Sequence, residues 1–197
     1  MTDYDKIVRI ANENHNIFQT NMIVKAGIRK EKIRELLEIG RIKRIGRGLY
    51  AFNMKEVDEY YEFQQTCPRG IFSYGTAAYF WELSDRVPNI LNCSLPRGYH
   101  TSTKLTEEVI CHYVAKELYP VGKTEIISPQ GAPIVVYDRE RTICDLVKKR
   151  KKMDMQLYST ALNLYFKGNE KDIRRLIRYG RLFHIEEELE KYMEVLL

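Results

Sequence analysis

The chain lacks any apolar run approaching the roughly 20 residues needed to span a bilayer. Its opening residues, MTDYDKIVRI, are too charged for a secretory leader, so a cytoplasmic protein without membrane attachment is expected. Cysteine is scarce. Cys67, Cys93, Cys111 and Cys144 stand singly, and the lack of a CxxC pair argues against zinc-ribbon and dithiol redox chemistry, leaving reduced, mostly core thiols. His100, His112 and His184 show no HxxxH spacing, so no metal is expected. Neither a GxxxxGK[ST] nor a GxGxxG phosphate loop occurs, and Ser73 and Ser84 have no identifiable base. No catalytic set closes, and neither an enzymatic activity nor a cofactor is expected.

What is present is a concentration of positive charge. Of the 197 residues, those from 29 to 47 include eight basic and three acidic side chains, an excess of five that equals the formal net charge of the whole chain. The remainder therefore sums to zero, and the basic character is local. Such clustering on a small helical element is the electrostatic footprint of a nucleic-acid binder. The other reading is a winged-helix fold used for protein contacts, its charges merely solvated.

The surrounding pattern supplies the fold. Residues 4–13 carry Ile7, Val8, Ile10 and Ala11 at helical spacing, with Lys6, Arg9 and Glu13 outside the stripe. Thr20 is placed to cap a short second helix, TNMIVKA, which Gly27 ends. A third helix over 29–39 buries Ile33, Leu36 and Leu37 and turns Glu31, Glu35 and Glu38 outward. Phosphates would repel that acidic face, so the expected contacts lie in the first turn, as in helix-turn-helix proteins that read with the start of the recognition helix. Gly40 closes the helix, and RIKRI and GLYAF flank the tip Gly46-Arg47-Gly48 as two strands of a wing. The expected DNA-binding residues are Arg29, Lys30, Lys32, Arg34, Lys43, Arg44 and Arg47.

A helix is expected over 54–65 as a connector, and Pro68-Arg69-Gly70 marks the break. The reading is thus α+β, with a winged helix-turn-helix domain over 1–66 and a larger α+β domain over 67–197. In the second domain a tightly packed helix carries Gly75 to Leu83, with Ser73 or Ser84 available to cap or end it. Strands are expected at 90–95, 109–114, 124–127 and 134–137, forming a small sheet. Asp138 is placed to cap a helix with the stripe Ile143, Leu146 and Val147, and three more helices follow at 156–166, 170–179 and 186–196.

FSYGTAAYFWELSDRVP, a strand and PRG, then ISPQGAPIVVYDRERTICDLV, all behind GRIKRIGRGLYAF, resemble the AbiEi antitoxins of bacterial type IV toxin–antitoxin, or abortive infection, systems. The resemblance spans almost the whole chain, and its most specific part joins the RGLY wing end to the ERTICDL helix. It implies an amino-terminal domain that represses its operon by binding inverted repeats in double-stranded DNA. It also implies a carboxy-terminal domain that counteracts a nucleotidyltransferase-like toxin, directly or indirectly, in phage defence. The alternative is a winged-helix regulator whose second domain senses a ligand or mediates oligomerisation, with no toxin partner.

Two clusters in the second domain invite a chemical reading. Glu140 and Asp145 lie five apart, about 140° around the helix, so they do not share a face. Arg141 is better read as an internal ion-pair partner for a nearby acid. A second basic area comprises Lys148, Lys149, Arg150, Lys151 and Lys152 with Arg174, Arg175 and Arg178. These are candidates for an antitoxin surface, weighed equally with a solvated helix face.

Overall fold

A computed structural model describes residues 1–52, 56–101 and 109–196. The chain divides into two compact units, Met1–Pro68 with Ile127–Ile134, and Arg69–Ile126 with Val135–Leu197.

The first unit opens with α1 (Asp3–Asn12), capped reciprocally. The Thr2 hydroxyl accepts from the Asp5 N–H at 3.2 Å while the Asp5 carboxylate accepts from the Thr2 N–H at 2.7 Å. After it come β1 (Ile17–Gln19), α2 (Thr20–Lys25), α3 (Glu31–Glu38), β2 (Lys43–Gly46) and β3 (Leu49–Ala51). The strands form an antiparallel sheet in the order β1-β3-β2. Ile7, Phe18, Ile23, Ile33, Leu36 and Ile42 meet in its core. Helices, turn and sheet in this order make a winged helix-turn-helix.

Three local expectations change. β1 is an extra strand, three residues long, too short to show an alternating pattern in sequence. Thr20 is not the cap but the first helical residue. Pairing of β1 with β3 brings its N–H and hydroxyl to one acceptor, the Gly48 carbonyl, at 2.9 and 3.4 Å. α3 is shorter than expected, with Arg29 and Lys30 leading into it through tight turns, Lys32 N–H to Arg29 O at 3.1 Å and Ile33 N–H to Lys30 O at 3.0 Å. At the wing tip only Gly48 adopts a positive φ, +69°. At Gly46 a Cβ would press on Thr66 Cγ2 at 3.1 Å, a tight contact at ordinary φ.

The connector is α4 (Glu59–Thr66), capped by Asp58, whose side chain accepts from the Tyr60 and Tyr61 N–H groups. Of the expected 54–65 helix, residues 54 and 55 lie outside the described residues, and the α-helix starts later than expected, at Glu59, because Asp58 caps it there. Ser128 donates to the other Asp58 oxygen, tying 127–134 into this unit.

The second unit contains β4 (Ile71–Phe72), α5 (Tyr74–Phe80), β5 (Leu91–Pro96), β6 (Val109–Val114) and most of β7 (Lys123–Ile127) and β8 (Pro133–Tyr137), in a sheet of order β6-β5-β4-β8-β7. β4 is a second unexpected strand. Only two residues long, it pairs antiparallel with β5 and parallel with β8. Ser73 precedes α5 without capping it, and its hydroxyl accepts from Ser94 at 3.0 Å instead. Then follow α6 (Arg139–Lys148), α7 (Met155–Lys167), α8 (Ile173–Phe183) and α9 (Glu186–Leu196). α8 starts later and ends later than expected, because Asp172 caps its start and His184 turns left-handed at its end, φ +56°. Ile143, Leu146, Tyr165, Leu176, Phe183 and Leu189 form the core beneath the helices. The architecture is α+β, a winged-helix unit followed by a larger α+β unit.

Candidate nucleic-acid interface

In the first unit the seven expected DNA-binding residues separate by what already holds them. Lys32 pairs with Glu35 at 2.6 Å and Arg34 with Glu38 at 3.1 Å along α3. Exposed pairs of this kind contribute about 0–1 kcal/mol, so a phosphate can compete for these cations, but the helix face carries little net charge. Arg44 is committed to the wing. Its Nε donates to the Gly46 carbonyl at 3.0 Å, across the register shift between the two residues. Arg29, Lys30, Lys43 and Arg47 are exposed and have no carboxylate partner among the described residues. The uncompensated charge therefore sits on the approach to α3 and on the wing, while the outward glutamates are largely matched by their neighbours.

The second unit is organised on Arg141, 1% exposed. Its Nε donates to Asp145 Oδ1 at 3.0 Å, and Nη1 donates to the carbonyls of Leu118 at 2.8 Å and Val121 at 2.7 Å. The guanidinium lies between the rings of Tyr137 and Phe183, 4.0 and 4.3 Å from their centroids. At Gly122, φ +78°, a Cβ would come within 2.6 Å of Arg141 Cβ, so the loop can pass only with glycine there. Asp138 caps α6 by accepting from the Arg141 N–H at 2.8 Å, as the sequence predicts. Glu140 turns elsewhere, accepting from Tyr165 Oη at 3.1 Å and the Asp172 N–H at 3.0 Å. Glu140 and Asp145 thus serve different contacts rather than one site. Among the described residues no group of three or more His, Cys, Asp or Glu side chains is arranged to hold a metal.

The eight basic residues considered for an antitoxin surface occupy two settings. Arg174 and Arg178 are exposed on α8, whereas Arg175 reaches Asp172, Glu140 and Asp138 at 3.4, 3.6 and 3.7 Å. Lys148, Lys149, Arg150, Lys151 and Lys152 line a cleft of about 660 Å³ that the α8 arginines do not reach. Lys148 Nζ donates to the Phe183 carbonyl at 3.2 Å, and Arg150 approaches Glu188 at 3.9 Å. Tyr74 lies against the cleft with φ +49°, a left-handed conformation uncommon for a large side chain. Sequence reasoning missed Tyr74, His112 and Arg97 as members of this cleft. Only the KKRKK run gave a signal.

His112 is the titratable group most altered here. Burial first, and then the Lys149 ammonium, lower its pKa to about 4. Lys149 Nζ lies 2.9 Å from Nδ1, and Nε2 lies 2.8 Å from Asn92 Oδ1. An ammonium can only donate, so Nδ1 accepts and Nε2 carries the proton. Nitrogen NMR of the imidazole should show this single neutral tautomer from pH 8 down to about pH 5, with protonation near pH 4. A depressed histidine pKa means that the unfolded chain binds the proton more tightly, so this group withdraws stability as pH falls from 6.5 toward 4. A His112 titration midpoint near the usual 6.5 would contradict the assignment.

Residues 5–53 match a family described as transcriptional regulator, AbiEi antitoxin. The match covers the helix-turn-helix and the wing, and the resemblance read from the sequence is met there. Comparison with curated proteins finds no match. Among solved structures, the RV2827C protein from Mycobacterium tuberculosis aligns with a TM-score of 0.64 over 89% of this chain and 69% of that chain, at 15% identity. At that identity the likeness is one of fold.

Proposed function

We propose, from a winged-helix unit whose residues 5–53 match the AbiEi antitoxin regulators, that this chain is the antitoxin and DNA-binding autorepressor of a bacterial type IV toxin–antitoxin operon. The observation that carries the DNA-binding part is the set of unpaired, exposed cations Arg29, Lys30, Lys43 and Arg47 on the approach to α3 and on the wing. Backbone phosphates of an inverted repeat in its own promoter are the ligand this set suits. The description of the matched family supports the second part, in which the chain counteracts, directly or indirectly and without catalysis of its own, a nucleotidyltransferase-like toxin encoded beside it in the cytoplasm. A second domain that senses a ligand without any toxin is the other reading, and the basic cleft favours it over an oligomerisation role.

Two measurements test the proposal. Binding of the full chain to its upstream DNA should weaken steeply with salt, by about 0.9 logarithmic units per logarithmic unit of salt for each phosphate neutralised. A flat salt dependence would overturn the DNA reading. Expression of the adjacent reading frame should arrest growth, and co-expression of this chain should restore it. Arrest without rescue would leave a regulator that is no antitoxin.

A further inference from the structure

We infer that the cleft bounded by β6, the 147–152 segment and the end of α8 is a binding site for a nucleoside triphosphate. It lies wholly within the second unit, and the inference does not depend on the antitoxin reading. Its volume, about 660 Å³, falls in the range of pockets that take small organic ligands.

Charge identifies the ligand class. Arg141 and Asp145 close on each other, and Arg150 has Glu188. Arg97, Lys148, Lys149, Lys151 and Lys152 line the same cleft without a carboxylate in ion-pair range among the described residues. Five cations sharing one cleft repel one another until an anion joins them. A single phosphate or carboxylate would leave most of them uncompensated, whereas a triphosphate chain presents enough oxygens to meet several at once. Lys149 is already aimed, since His112 Nδ1 and the Tyr74 ring at 4.8 Å fix its ammonium.

Part of the wall is apolar, formed by Leu118, Val147, Phe183 and Ile185, with the half-exposed Tyr113 also in the lining. This wall suits the nucleoside rather than inorganic polyphosphate. A single-stranded nucleic acid would instead need a series of free aromatic platforms. Here the Tyr74 ring is taken by Lys149 and His112, and the Phe183 ring by Arg141 and Lys148. Two further features mark the place as more than a surface groove. Tyr74 holds a left-handed backbone at the cleft, the kind of local strain that concentrates at functional sites. Asp145, buried and also lining the cleft, keeps Oδ2 without a hydrogen-bond partner among the described residues, an acceptor or, once protonated, a donor for a ligand group.

The test is isothermal titration calorimetry of the full chain with ATP, GTP, CTP and UTP, compared with nucleoside monophosphates, tripolyphosphate and a short single-stranded oligoribonucleotide. At least one triphosphate should bind, and its monophosphate should bind at least about tenfold more weakly. The exposed double variant Lys151→Ala/Lys152→Ala should weaken triphosphate binding by about tenfold or more, with thermal melting and promoter affinity unchanged. Absence of binding by all four triphosphates at millimolar concentration would overturn the inference, as would equal affinity in the double variant. Tripolyphosphate binding as tightly as every nucleotide would remove the nucleoside from it. Tighter binding of the oligoribonucleotide than of any triphosphate would assign the cleft to RNA instead.

Discussion

Arg141→Met should destabilise the second unit by about 3–5 kcal/mol, the range for removing one partner of a buried ion pair. The substitution keeps most of the volume between the Tyr137 and Phe183 rings but removes the charge opposite Asp145 and both donors to the Leu118 and Val121 carbonyls. Burial already raises the pKa of Asp145 while Arg141 lowers it. Without Arg141 the carboxyl should take up a proton, so the loss should be smaller at pH 5 than at pH 8. Denaturant unfolding followed by Trp81 fluorescence measures this, because the chain has one tryptophan. Its indole donates to the Tyr137 carbonyl at 2.7 Å inside the same unit. The double variant Arg141→Met/Asp145→Leu should recover most of the loss, since replacing both partners by apolar groups removes the uncompensated charge. If the double variant were as unstable as the single one, the loop contacts rather than the ion pair would govern the stability.

Replacing Arg29, Lys30, Lys43 and Arg47 together by alanine should abolish promoter binding at physiological salt and lower the salt slope by about 3–4 units. The size follows from four cations that have no internal partner to lose. Replacing Lys32 and Arg34 should do less, because each is shared with a glutamate on α3. Arg44→Ala should act mainly by loosening the wing turn, through the lost bond to the Gly46 carbonyl. Arg29, Lys30, Lys43 and Arg47 are all exposed, so the melting temperature should hold in the quadruple variant. A quadruple variant that binds its promoter with the parental slope would remove the wing and the α3 approach from the interface.

The helices were legible where caps and apolar stripes reinforced each other, as with Asp138 ahead of Ile143, Leu146 and Val147 in α6. β1 and β4 were not, because three and two residues cannot display a period of two and both strands exist through partners distant in sequence. The same distinction runs through the sites. Basic residues from 29 to 47 are visible as charge, yet which of them remain free depends on i, i+3 and i, i+4 pairing along α3. In α6 the spacing that mattered was four residues, Arg141 to Asp145, rather than the five from Glu140 to Asp145. The KKRKK run announced a cationic surface. That it meets Arg97 and His112 across a cleft depends on the parallel pairing of β5 with β6, which local sequence does not encode.

One acceptor in the first unit has a mechanical meaning. The Gly48 carbonyl, just past the wing tip, takes both the N–H and the hydroxyl of Thr20, where α2 begins. A Cβ at Gly48 would already touch that hydroxyl at 3.3 Å, so the two segments are joined with little slack. The wing and the helix-turn-helix thus behave as one casting of fixed pitch rather than as two jaws that adjust independently. A duplex held by both would have to match that pitch, so base steps that deform easily would be favoured wherever the match calls for a bend.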